Sequence, residues 1–191
     1  MRDARLLLTT ALLTALAVCG APEAAARMAA PPTLAEMTKS AARVFRGHCT
    51  AVKTGVATIA GARLPVTTYR FRVREHLKGR RRATVTFRQV GRPDGGPRDL
   101  GRLAGLPVYA AGSEYVLFLL PVSTAGMTSP AGAGDGAFVV SGDMVRAVHA
   151  GPRTSGPGGL APQALRAAGP STTDAMSYAD LRRAVLAEVR R

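Results

Sequence analysis

Residues 67–74 run Thr67, Thr68, Tyr69, Arg70, Phe71, Arg72, Val73, Arg74. In an extended chain Thr67, Tyr69, Phe71 and Val73 point one way and Thr68, Arg70, Arg72 and Arg74 the other. A period of two with one apolar and one wet side marks a half-buried antiparallel strand, and the rest of the fold is read outward from it. Residues 44–53 repeat the pattern, with Phe45, Gly47, Cys49 and Ala51 opposing Arg46, His48 and Thr50. A third strand sets Val85, Phe87 and Gln89 against Thr84, Thr86 and Arg88. Residues 115–120 (YVLFLL) are apolar on both faces and predict the most buried strand. Residues 137–140 and 144–148, separated by Ser141, Gly142 and Asp143, predict a hairpin whose glycine supplies a positive φ. The intervening stretches 55–65 and 91–105 carry Gly and Pro and are expected as loops.

Two helices flank these strands. Thr33 followed by Glu36 is a reciprocal capping pair, and Leu34, Met37 and Ala41 recur at helical spacing, which predicts a helix over 34–42. Ser177 with Asp180 starts a last helix over 176–191, whose apolar stripe is Tyr178, Leu181, Val185 and Val189. Residues 150–175 hold five Gly and four Pro with few large apolar side chains, so a flexible linker is expected there. The strands and the first helix form one domain over 33–149.

The first 26 residues have the layout of an export signal. Arg2 and Arg5 precede an apolar stretch from Leu6 to Val18, and small residues end at Ala24, Ala25 and Ala26. That stretch is about 13 residues, short of the roughly 20 that a spanning helix needs. The expectation is an exported protein, whether secreted, periplasmic or cell-surface. A lipid anchor at Cys19 is disfavoured, because a lipoprotein cleavage box wants a small residue where Val18 stands. Cleavage would leave Cys49 alone and unable to form an intramolecular disulfide.

The chain has a formal net charge of +14. Removing residues 1–26 discards Arg2 and Arg5 together with Asp3 and Glu23, so the charge stays with the exported part. Arg70, Arg72 and Arg74 project from one strand face at intervals of about 6.6 Å. Lys78, Arg80, Arg81 and Arg82 follow at the turn, so these seven cations are the candidate site for an anionic polymer. Aromatic side chains do not interleave with them, which argues against stacking of single-stranded bases. The same arginines also suit an ordinary solvated face in an Arg-rich composition.

Catalytic and metal chemistry find little support. Ligand clusters at fixed spacing are missing, and no cofactor is implied. His48 adjoins Cys49, but neighbours on a strand face opposite ways. A hydrolase would have to assemble its site from dispersed residues, with His48 or His76 as base and Ser113 or Cys49 as nucleophile. His149 sits in no motif.

Residues 41–47 (AARVFRG), 69–79 (YRFRVREHLKG) and 112–118 (GSEYVLF) resemble a pattern shared by netrin-like domains, including tissue inhibitors of metalloproteinases, and by secreted bacterial proteins of similar layout. The resemblance covers less than half of the chain. It implies an OB-type five-stranded barrel, so the expected fold class is mainly β: a small OB-like antiparallel barrel with an N-terminal and a C-terminal helix. It also raises protease inhibition. Those inhibitors, however, begin the mature chain with a zinc-chelating cysteine and carry disulfides, and neither feature is present here.

The leading expectation is a non-enzymatic binding protein whose partner is an anionic polymer or another exported protein. Expression in an export-competent host followed by N-terminal sequencing is expected to give a mature chain starting at Arg27. Recovery of the intact leader from the cytoplasm would contradict it.

Overall fold

The computed structural model describes residues 32–96, 98–148 and 175–191. Helix α1 (Leu34–Ser40) starts at the capping box foreseen, with Thr33 N–H donating to Glu36 and Glu36 N–H to the Thr33 hydroxyl. Strands β1 (Arg43–Ile59) and β2 (Ala62–Lys78) form one long hairpin. Residues 55–65 are therefore not a connecting loop. Gly55 pairs with Val66 and Val56 with Pro65, and the chain reverses only at Ala60 and Gly61, both at positive φ (48° and 81°), which suits the twist of a tight hairpin.

Strand β3 (Thr84–Val90) pairs with β2. The 91–105 stretch contains one helical turn, α2 (Leu100–Leu103), where Asp99 accepts the N–H groups of Gly101 and Arg102. Strand β4 (Glu114–Leu119) is buried from Tyr115 onward, as its two apolar faces require. Strands β5 (Ala137–Ser141) and β6 (Met144–Ala147) turn at Gly142, φ 59°. Residues 175–177, expected as linker end and helix start, instead form a short edge strand, β7 (Ala175–Ser177), on β6. Helix α3 (Tyr178–Val189) follows, capped by Ser177 as expected, although Val189 stays exposed.

The seven strands make one antiparallel sheet in the order β3-β2-β1-β4-β5-β6-β7. No ladder joins β3 to β7, so the sheet is open, and the mainly-β class holds without the closed barrel. The expected leader (1–26), nearly all of the expected linker (150–175) and His149 lie outside the described residues.

Period-two alternation gives the sheet two separate cores. Helices α1 and α3 cover one face, where Met37, Leu181 and Val185 meet Val44, Val116, Phe118 and Val145. The other face packs on itself, with Phe45, Cys49, Tyr69, Phe71, Val85, Phe87, Tyr115 and Leu117 gathered around Tyr109 from the loop before β4. The Tyr109 ring lies 4.8 Å from Tyr69, 5.2 Å from Tyr115 and 5.6 Å from Phe71, each edge to face. Gly47 lets β1 and β2 close beneath these rings, because a Cβ there would fall 2.7 Å from the Arg72 carbonyl oxygen.

Tyr109→Ala is expected to destabilise by about 3–5 kcal/mol in urea unfolding, the range for emptying a buried aromatic position. Its hydroxyl is buried with no hydrogen-bond partner among the described residues, so Tyr109→Phe should leave the midpoint unchanged or raise it. A large loss in the Phe variant would show that the hydroxyl is satisfied.

Candidate anion-binding face

The basic face is the part of the helix-bearing side of the sheet that no helix reaches. Arg70, Arg72 and Arg74 are exposed on β2, opposite the buried Tyr69 and Phe71, as the alternation requires. In register, Arg72 lies between His48 of β1 and Thr84 of β3, and Arg70 between Ala51 and Thr86. Exposed Lys53 pairs with Thr68 along the same hairpin.

A polar belt separates this face from the apolar helix contact. Glu114, at the start of β4, accepts from Arg46 at 2.8 Å, with Arg74 Nε at 3.6 Å and His48 Nε2 at 3.8 Å. Beside it, Glu75 accepts from the Tyr178 hydroxyl and from Arg182 Nε, both at 2.6 Å. The Arg46 guanidinium lies 4.3 Å from the Tyr178 ring centroid, so it joins the two groups through a cation–π contact. Burial pushes the Glu114 carboxyl up, but the hydrogen bond from Arg46 and the charges of Arg46, His48 and Arg74 outweigh it and hold the group below its ordinary value. Glu75 behaves alike: burial raises it, while Tyr178 and Arg182 together lower it further.

The seven cations do not form one continuous edge. Lys78 Nζ donates to the carbonyls of Thr38 and Lys39, at 2.6 and 3.0 Å, and so caps the end of α1. It divides the strand group from Arg80, Arg81 and Arg82, which are exposed in the β2–β3 turn. His76 Nε2 accepts the Arg82 N–H at 2.8 Å and fixes that turn. Gly79 (φ 85°) brings the turn against β1, since a Cβ there would meet the Ala42 carbonyl oxygen at 2.5 Å. Burial lowers the pKa of Arg43, and Arg82 and Arg80 lower it further by repulsion, so the turn carries an unbalanced positive field.

The dispersed hydrolase residues are not brought together. Cys49 is buried in the aromatic core with its Sγ 3.7 Å from the Ala51 carbonyl oxygen, and burial raises its thiol pKa, away from the thiolate form that attacks. His48 faces Glu114 on the opposite side, and His76 is engaged by Arg82. Ser113 meets Cys49 through the backbone, where Cys49 N–H donates to its carbonyl. Among the described residues no group of three or more His, Cys, Asp or Glu could hold a metal ion, and no helix is long and apolar enough to cross a membrane.

Sequence reasoning missed Glu114, the acidic hub of the belt, because its partners come from β1 and β2, up to 68 residues away. Comparison with protein-family models and with curated proteins gave no match.

Because the folded-state pKa values of Glu75 and Glu114 are depressed, their contribution to stability is present above the unfolded value of about 4.3. It is lost as pH falls through the lower folded values. The Glu114→Gln variant should therefore show a flatter acid limb in thermal midpoint against pH, together with a lower midpoint at pH 7. An acid limb identical to that of the parent would remove Glu114 from this role.

Proposed function

We propose that this protein is an exported, non-enzymatic binding protein that holds an anionic polymer against its basic face. The observation that carries the reading is the pair Arg70 and Arg72. They stand two residues apart on β2, which is paired on both sides by β1 and β3, exposed, with no carboxylate paired to them among the described residues. Their spacing of about 6.6 Å is below the ~8 Å Debye length at physiological ionic strength, so their mutual repulsion is a standing cost that a counter-charge relieves. The turn of Arg80, Arg81 and Arg82 supplies a second anchoring point on the far side of Lys78 for a ligand with repeated charge. Envelope polysaccharides, lipopolysaccharide and extracellular nucleic acid share that chemistry.

We further propose that the scaffold is OB-like and related to netrin-like domains. Support comes from the five-strand run β3-β2-β1-β4-β5, with β1 central, and from an inner face that curls around its own aromatic residues.

On a heparin column, log affinity should fall linearly with log salt. Replacing Arg70 and Arg72 by Ser should reduce the slope by up to about 1.8, and replacing Arg80, Arg81 and Arg82 by Ser by up to about 2.7, at ~0.9 per neutralised phosphate on a B-DNA-like polyanion. Unchanged elution salt in both variants, with unchanged circular dichroism, would refute the proposal.

A further inference from the structure

A cleft of about 200 Å³ opens where the end of β3 meets α2 and the loop that follows it. Its floor holds Tyr69 and Gln89, one wall is Leu106, Pro107 and Val108, and Arg102 stands at the rim. Gln89 is the anomaly. It continues the inward row of Val85 and Phe87 into the aromatic core and is only 2% exposed, yet among the described residues neither its amide nitrogen nor its amide oxygen has a hydrogen-bond partner. An apolar side chain would fill the end of that row without penalty. A buried polar atom whose hydrogen bond is unmade is destabilising, and such costs tend to persist where a site uses the group.

We propose that the cleft is a ligand site in which Gln89 turns its amide toward a bound molecule carrying a secondary amide next to a carboxylate, with a small apolar side chain. The Gln89 amide offers donors and an acceptor in one plane, which matches the N–H and C=O of another amide. The wall of Leu106, Pro107 and Val108 suits an apolar side chain. Arg102 is the rim cation suited to the carboxylate: among the described residues it has no acidic partner, whereas Arg92 is held by Asp94 through two contacts of 3.1 Å. The volume is below the roughly 300–1,000 Å³ of drug-sized sites and fits a molecule of amino-acid size. The closed amide makes the unliganded state costly, so turning outward to a matched partner recovers what burial forfeits. An N-acyl amino acid and the C-terminal residue of a peptide share this chemistry.

The test is a titration of the full chain with N-acetyl-leucine, followed in nitrogen–proton correlation spectra. The Gln89 side-chain NH2 signals are identified by their loss in Gln89→Leu. They should shift saturably, and 4-methylpentanoate, which keeps the carboxylate and branched chain without the amide, should bind about tenfold more weakly. Saturation by Ala-Ala-Ala-Leu at similar concentration would identify a peptide terminus as the ligand, and saturation by N-acetyl-leucine alone a free acyl amino acid. Gln89→Leu should keep or raise the thermal midpoint, lose the preference for the amide and leave heparin elution unchanged, which separates this site from the basic face. The proposal fails if N-acetyl-leucine does not saturate, if the Gln89 signals stay fixed, or if Gln89→Leu lowers the midpoint, since the amide would then be serving the fold.

Discussion

Tyr109 is the residue on which the inner half of the molecule depends. Helices cover only one face of the sheet, so the rings of Tyr69, Phe71, Phe87 and Tyr115 would otherwise meet water on the other. One ring inserted edge-on among them closes that face, and large aromatic side chains bury enough area to make a single insertion effective. The insertion also ties down the chain around it. The Ala110 N–H donates to the Tyr115 hydroxyl, and the Gly112 N–H to the Cys49 carbonyl, so the loop from α2 to β4 becomes a wall and not a free connection. The cleft above Gln89 exists because that wall is fixed.

The helix-bearing face follows a different logic. Near α1 and α3 the sheet presents Val44, Val116, Phe118 and Leu77, and the contact is dry. One step further along β1 and β2 the side chains become Arg46 and Glu75, met by Tyr178 and Arg182 from α3, and the helix coverage gives way to a charged network. Beyond it stand Arg70 and Arg72, with Lys53 further along the hairpin, and among the described residues no carboxylate is paired with them. Across one face the side chains thus pass from apolar to paired to unpaired charge, with the unpaired arginines carried on β2 between β1 and β3.

Much of this was legible from local pattern. The alternation over 67–74 assigned Tyr69 and Phe71 to a core and three arginines to solvent, because side-chain period is a local property of an extended chain. Burial on both sides of 115–119 followed from the same rule. What escaped detection was non-local. The outer hairpin arms carry Gly55 and Pro65, which weaken a strand reading, and pairing with one another keeps them extended. Residues 175–177 become a strand because β6 offers an open edge, and three residues carry no period of their own. Glu114 carried no local signal, because its partners Arg46, His48 and Arg74 come from other strands. Gln89 was the exception: a polar side chain in phase with Val85 and Phe87 is a local signal, and its meaning depends on whether the core provides it a partner.

The length of the β1–β2 hairpin has a mechanical consequence. Strand β4 accompanies β1 only as far as His48, and β3 accompanies β2 only from Val66 to Arg72, so residues 56–65 form a ribbon of two strands with no third strand paired beside them. Such a ribbon is marginal on its own and has no core to share, since Val56 at its side is 59% exposed. Its opening is therefore uncoupled from that of the sheet, and the backbone amides near Ala60 exchange with solvent long before those of β4. The arm extends about 13 Å beyond its root at a rise of ~3.3 Å per residue, so the molecule carries a lever that can bend, fray or be clipped while the body that bears the basic face stays folded.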